Sequence, residues 1–274
     1  MIGFDNGSYR NLSEISIPIT SLSINRGYGA FEFLEVINGK PFYGDRHVKR
    51  LLNSMNLLHL KTGFNDQLKE VLAALIAKNN LQNAFIKLFV LPHTAASHGW
   101  YEGALYAFPT TMPTYAESLY THGARLVTKQ YERFLPEAKS TNYLSGQFWM
   151  DACSDERVMD ILFHDGQTVQ ETSRGNVFVV KDGQVITPAD RVLKGITRDL
   201  VLELLEQLDL PAQERSIELS EFADVDEIFL TSTTKLVVPI TTIDDWTVGD
   251  GTPGPITQQV MTQFELLRRQ ANER

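Results

Sequence analysis

Early in the chain, two neighbouring stretches carry apolar side chains at helical spacing. They are Val48, Leu51, Leu52, Met55 and Leu58 within 46–60, and Leu68, Val71, Leu72, Leu75 and Ile76 within 66–79. Strand-like runs flank them: β-branched and aromatic residues over 31–37, then 84–91 and 104–108, with the rest of 15–43 reading as short strands and loops. Strands grouped with strands, without a regular strand-helix alternation, predict an α+β architecture rather than a doubly wound parallel sheet.

The second half continues the grouping. Strands are predicted at 125–129, 158–164, 176–181, 185–187, 227–231 and 236–243, and helices at 144–154, 197–208 and 255–270. Asn38-Gly39, Asp165-Gly166 and Asp182-Gly183 suit tight hairpin turns. The stretch 109–123 is rich in Pro, Thr and Ser and lacks periodicity. We therefore read a small α/β domain over 1–113, a linker over 114–123 and a larger domain over 124–274.

The 274 residues are 43% hydrophobic and 22% charged, which is ordinary for a globular protein and excludes a disordered or collagenous chain. Lys and Arg total 25 against 34 Asp and Glu, a net charge of −9 that repels polyanions, so no nucleic-acid partner is expected. Cys153 is the only cysteine, and the first residues, MIGFDNGSYR, lack a basic and an apolar leader region. Both point to a reducing cytoplasm. The longest strongly apolar stretch, 84–91, is interrupted by Lys87 and falls far short of the roughly 20 residues a membrane helix needs, so no membrane association is expected. No metal is expected either.

Several residues have the chemistry of a site. Lys139, in EAKSTNYL, has Phe134, Leu135, Tyr143 and Leu144 nearby in sequence, and a lysine desolvated by such neighbours becomes a nucleophile able to form a Schiff base. A solvated surface charge is the plainer reading of any one lysine. Glu171, in QETSRGNVFVV, falls between two predicted strands beside Ser173, Arg174 and Asn176, where it could equally be a turn residue. The run Lys194-Gly195-Ile196-Thr197-Arg198 opens a predicted helix whose unpaired amides suit a phosphate, although Thr197 could simply be the helix cap. Thr231 to Thr234 add hydroxyl donors after a strand, and Arg50 in HVKRL is a cation able to neutralise the same phosphate or to face solvent.

In this order along the chain, these blocks resemble the class IV family of pyridoxal-phosphate enzymes, also called fold type IV. The likeness spans nearly the whole sequence: GKPF and HVKRL, KSTN, VQETSRGNVF, KDG followed by ITP, KGITRD and the late GPIT. It implies a larger domain with a β-barrel-like core, pyridoxal 5'-phosphate as cofactor, and a homodimer whose subunits share active sites. It further implies that Lys139 forms the Schiff base and moves the proton in a ping-pong transamination, and that Glu171 faces the pyridine nitrogen. Tyr143 would reach the ring hydroxyl. Arg50, Ile196, Thr197 and Thr233 would hold the phosphate.

Departures from the family bear on the substrate, since an unpaired carboxylate in a low-dielectric pocket is costly. D-amino-acid members usually hold the substrate carboxylate with a strand tyrosine and an arginine-histidine loop. Here the strand position is Phe31 and the loop reads LPHTAASHGW, with no arginine. Arg26 and Arg174 are the replacement candidates, with His98 a third and Phe31 and Phe33 as pocket walls. KSTN, LKGITRD and FLTSTT are closer to D-amino-acid aminotransferases, whereas NYL and the glycine-rich approach to GPIT look like branched-chain enzymes. The favoured expectation is a transaminase acting on a D-amino acid and a 2-oxo acid such as 2-oxoglutarate. A branched-chain L-amino-acid aminotransferase is the alternative, followed by aminodeoxychorismate lyase or an R-selective amine transaminase. From another class altogether, a non-enzymatic binding module would have no need of both Lys139 and Glu171.

Overall fold

This computed structural model describes residues 1–93 and 98–273. The chain divides into two compact units, one of Met1–Pro113, Ala138–Asn142 and Ala271–Arg274, the other of Thr114–Glu137 and Tyr143–Gln270. The five residues around Lys139 thus belong with the first unit, whereas the sequence reading placed them in the second.

The first unit runs β1 (Ile2–Asp5), β2 (Ser8–Asn11), α1 (Leu22–Arg26), β3 (Ala30–Ile37), β4 (Lys40–Pro41), α2 (Gly44–Leu57), β5 (Leu60–Lys61), α3 (Leu68–Asn79), β6 (Ala84–Pro92) and β7 (Tyr101–Thr110). Its sheet has the order β2-β1-β7-β6-β3-β4, with β5 on β7. Helix α2 packs on β3, and α3 on β1, β7 and α2. Their inward faces, Val48, Leu51 and Met55 then Leu68, Val71, Leu72 and Leu75, follow the helical spacing of the sequence. Asn38 and Gly39 both have positive φ, 48° and 74°, as the tight turn between β3 and β4 requires. Helix α1 lies where strands and loops were expected. Its five residues are too few to show a period, and it is held instead by its ends: Ser21 Oγ accepts from Ser23 N at 3.2 Å, and Gly27 closes it with φ 63°.

The second unit contains α4 (Ser118–Thr121), β8 (Ala124–Gln130), α5 (Leu144–Asp151), β9 (Val158–His164), β10 (Thr168–Thr172), β11 (Asn176–Lys181), β12 (Gln184–Thr187), α6 (Ile196–Gln207), β13 (Ala212–Glu214), β14 (Ile217–Glu218), β15 (Glu227–Ser232), β16 (Leu236–Ile243), β17 (Trp246–Thr247) and α7 (Pro255–Glu273). Ten strands form one sheet, β13-β12-β11-β15-β16-β8-β9-β10-β14, with β17 on β16. Ile186 of β12 and Ile217 of β14, from opposite margins of the sheet, share a single apolar core with Leu126, Leu162, Val177, Leu230 and Val238. A sheet can do this only by curling around that core, so the α+β reading and the barrel-like interior agree with the structure.

Two readings need correction. Residues 114–123 are not a linker: Leu119 of α4 is buried in the core, and the Tyr120 hydroxyl donates to Lys235 O at 3.1 Å. One helical turn among prolines and threonines leaves no periodic trace. Glu171 lies not between strands but on β10, a strand the sequence reading missed. Among the described residues no helix is long and apolar enough to cross a membrane.

The GPIT block has a structural explanation. Glu227 is 6% exposed, and its carboxylate accepts from Ile256 N (3.0 Å) and Thr257 N (2.7 Å) in the first turn of α7. A Cβ on Gly254 would lie 2.1 Å from the Glu227 carboxyl carbon, so only glycine fits there. Glu227→Ala should leave both amides without partners and cost about 1–3 kcal/mol. The urea midpoint should fall, and by less in Glu227→Gln, which keeps an acceptor; equal midpoints in all three proteins would refute the capping role.

Candidate active site

In the first unit, the residues around Lys139 lie along the entry to β3. Phe31 N donates to Lys139 O (3.0 Å), Thr141 N donates to Gly29 O (2.9 Å), and Ala30 forms a bridge with Ser140. From the helix side, Ser54 Oγ of α2 accepts from Lys139 N at 3.0 Å. Both main-chain groups of the lysine are therefore fixed, and its Nζ sits 4.5 Å from the Phe31 ring centroid. Phe134 and Leu144, expected from sequence to bury it, are 81% and 78% exposed, so neither does. Lys139 is half-buried, with the Phe31 ring beside its ammonium.

Strand alternation puts Phe31 and Phe33 on one face of β3 and Glu32 and Leu34 on the other. Phe31 stacks on Phe89, Phe89 on Phe108, and Phe33 on Phe85, which makes an aromatic wall beside the lysine. On the helix face, Glu32 is 1% exposed. Arg50 of α2 clamps it with two bonds, Nε to Oε2 (2.9 Å) and Nη2 to Oε1 (2.7 Å), while His47 Nδ1 lies 3.2 Å from Oε1. His47, Arg50 and Ser54 occupy successive turns of one helix face, so a single element orients all three. Burial alone would raise the Glu32 carboxyl, but Arg50 and then His47 outweigh it and hold it well below the usual carboxylate range. His47 is pushed down by burial, against the pull of Glu32 and with the help of the Arg50 and Lys139 charges.

In the second unit, Glu171 is 4% exposed. One carboxylate oxygen accepts from Leu193 N (3.0 Å), and the other is 3.2 Å from Arg133 Nε. The Arg133 guanidinium lies over the Tyr143 ring at 4.6 Å from its centroid, and also donates to Ser173 O. Burial works against the Arg133 charge, but Tyr143 and Glu171 outweigh it and raise its pKa. Tyr143 sits at the N-cap of α5.

Three backbone stretches converge around Asn176. It pairs with Thr231 between β11 and β15, its Nδ2 donates to Leu193 O (2.8 Å), and its Oδ1 would be 2.2 Å from a Cβ on Gly195. Gly195, not Thr197, is the N-cap of α6, with no side-chain capping bond. Thr197 instead lies in the first turn with Ile196, both buried, where backbone amides and the helix dipole favour an anion. Ser232 ends β15, and Thr233 is in the turn that follows.

Comparison with known proteins shows the family of the chain. The family model "Amino-transferase class IV" matches residues 29–243. The chain belongs to the class IV aminotransferases. It is 31% identical to a D-alanine aminotransferase of Listeria monocytogenes, over 95% of this chain and 94% of that protein, and 31% identical to one of Bacillus licheniformis with the same coverage. Among solved structures, an Escherichia coli branched-chain amino acid aminotransferase superposes with a TM-score of 0.88 at 23% identity, covering 97% of this chain and 94% of that one. A branched-chain aminotransferase of the archaeon Thermoproteus uzoniensis with norvaline does so at 0.86 and 23%, covering 98% of this chain and 94% of that one.

Within this aminotransferase, Lys139, Phe31 and Phe33 fall in one neighbourhood of the first unit with Arg50, which is committed to Glu32. Tyr143 and Glu171 share Arg133 in the second unit, and Gly195 to Thr197 meets the Thr231 to Thr233 region across Asn176. Arg26 is exposed at the end of α1, its Nη1 donating to Asn25 O (2.8 Å), and His98 is exposed with φ 53°. Residues 94–97 of the loop that lacks an arginine lie outside the described residues. Sequence reading missed Glu32, His47 and Arg133. A glutamate at an inward position between the aromatic residues of a strand was the signal for the first; nothing local marks Arg133.

A carboxylate with a depressed pKa contributes its full stabilisation above its unfolded-state value, about 4.3, and loses it progressively as pH falls towards the folded value. Glu32→Gln should therefore be less stable than the wild type at neutral pH, with a gap in urea midpoint that narrows below about pH 4. A gap that stays constant with pH would contradict the ionised Glu32.

Proposed function

We propose that this aminotransferase uses pyridoxal 5'-phosphate to move an amino group between a D-amino acid and a 2-oxo acid such as 2-oxoglutarate. The observation that supports this substrate class is the 31% identity to D-alanine aminotransferases over almost the whole chain. The branched-chain structures, both at 23% identity, bear on the fold alone.

The residues present fit the cofactor. A phosphate needs donors: in the second unit the first turn of α6 at Ile196 and Thr197 offers amides and Thr233 a hydroxyl, and in the first unit Arg50 is a cation oriented by Glu32. A pyridine nitrogen needs a carboxylate that stays ionised, and Glu171 is buried against Arg133 with one oxygen fixed by Leu193 N. When bound, the cofactor supplies a ring that accepts negative charge developing at the substrate Cα. Lys139 would hold the cofactor at its aldehyde carbon and would carry the proton to and from that Cα, its own main chain being fixed by bonds with Ser54 and Phe31. Glu171 would keep the proton on the ring nitrogen, and the Tyr143 hydroxyl would donate to the ring oxygen. Arg174 and Arg26 take the substrate carboxylate, with His98 assisting, and Phe31 and Phe33 line the side-chain pocket.

A second reading, a branched-chain L-amino-acid aminotransferase, is favoured by the wall of Phe31, Phe89, Phe108, Phe33 and Phe85, which suits an apolar side chain. A panel of D- and L-amino acids with 2-oxoglutarate separates the two, D-amino acids turning over faster under the first. Lys139→Ala should abolish all transamination and the visible absorption band of the lysine-bound cofactor, and persistence of both would remove the role of Lys139. We also infer a cytoplasmic homodimer with shared sites. A fully active monomer in sedimentation would exclude that assembly.

A further inference from the structure

A second buried ion pair lies in the second unit, outside the roles assigned so far. Asp160 of β9 is 0% exposed and Lys235 is 1% exposed, with Nζ 2.5 Å from Asp160 Oδ2. The other acceptor positions of that carboxylate are also used: Ile161 N donates to Oδ1 (2.8 Å), Thr172 Oγ1 to Oδ2 (3.1 Å), and Ser173 Oγ to Oδ1. Ser173 is pinned further by its N–H on Ile161 O (2.8 Å) and by Arg133 on its carbonyl. The next residue is Arg174.

Arg174 therefore leaves the chain one peptide unit from a side chain that touches Asp160, well within the length of an arginine. Its charge already acts on both members of the pair. Burial would raise the Asp160 carboxyl, but Lys235 and then Arg174 bring it below its ordinary value. Burial pushes the Lys235 ammonium down, Asp160 opposes this, and Arg174 adds to the lowering by like-charge repulsion. Yet Arg174 is exposed, and among the described residues its side chain makes no hydrogen bond or ion pair. A buried carboxylate with no cation draws in whichever charge can reach it, because leaving it unpaired is costly. Two other cations act on Asp160: Arg133 is already held by Glu171 and the Ser173 carbonyl, so without Lys235 the charge left to move is Arg174.

We propose that Lys235 is a positioning residue that sets substrate specificity: by neutralising Asp160 from within the core, it leaves the Arg174 guanidinium available to a substrate carboxylate. Lys235 cannot meet the substrate itself, since it is buried and held on Asp160, and its own N–H is tied to Ser232 Oγ at 3.1 Å. The inference rests on the reading of Arg174 as a carboxylate ligand.

The test uses the holoenzyme, with propionate as a non-reactive carboxylate probe in calorimetry and D-alanine with 2-oxoglutarate for kinetics. In Lys235→Met, the propionate Kd and the D-alanine KM should rise about ten- to a hundredfold, the worth of a charge-assisted hydrogen bond, while kcat stays within about twofold. In the double variant Asp160→Asn with Lys235→Met, nothing is left to capture Arg174, and both constants should return to within about threefold of the wild type. Unchanged Kd in Lys235→Met, or a double variant as weak as the single, overturns the proposal. Should Lys235→Met not fold, Lys235→Gln takes its place with the same expectation, and a double variant that binds tenfold more weakly than the wild type refutes the role. Arg174→Ala tells the two layers apart. If it leaves propionate binding unchanged, the carboxylate reading itself fails; if it weakens binding while Lys235→Met does not, only the role of Lys235 fails.

Discussion

Both units are organised by one constraint, that a carboxylate taken out of water must meet a cation or a cluster of N–H groups. The penalty for an unmet buried charge is several kcal/mol, comparable to the whole stability of a domain. Glu32 meets Arg50, Glu171 meets Arg133 and the Leu193 amide, Asp160 meets Lys235, and Glu227 meets the first turn of α7. Each pairing fixes more than its own two residues. Arg50 draws one face of α2 onto β3 and so places Ser54 under the Lys139 amide, while Arg133 joins Glu171, Tyr143 and the Ser173 carbonyl around one guanidinium. The polar groups assigned to chemistry are thus the same groups that the fold needs in order to bury its charges.

The parts of the fold legible in sequence are those with a period or a compulsory turn. Helices α2 and α3 show their inward faces directly, and Asn38-Gly39 and Asp182-Gly183 adopt the positive φ that their turns demand. Lys139 and Glu171 became candidates as members of ordered blocks, not as isolated residues. What stayed hidden is tertiary. Phe134 and Leu144 flank Lys139 in sequence yet point to solvent, because the chain enters the first unit for only five residues and the lysine's neighbours there come from β3 and α2. Arg133 reads as one more charge in a polar loop until β10 sets Glu171 beside it. The cap of α6 was misplaced for a similar reason: Thr197 has the right chemistry, but the Asn176 amide fills the space over the helix start and admits only Gly195.

Asn176 shows how little backbone is needed to bring the proposed phosphate donors of the second unit together. One side chain ties the end of β11 to the approach to α6, one ladder pair ties it to β15, and two close-packed glycines, Gly195 against Asn176 and Gly175 against Thr231 O, remove the Cβ atoms that would force these strands apart. The amides of α6 and the hydroxyls after β15 are brought together by packing rather than by any bond between them.

The return of residues 138–142 to the first unit also orders events during synthesis. A nascent chain emerges N-terminus first, so Met1–Pro113 can collapse around its sheet while the next stretch is still being made. Until Ala138–Asn142 has left the ribosome, Phe31 N, Gly29 O and Ser54 Oγ lack their partners, and the entrance to β3 is an open edge awaiting its own chain. Lys139 is therefore mounted on a scaffold already formed. Its placement becomes a late docking step of the nascent polypeptide rather than part of the nucleus that folds first.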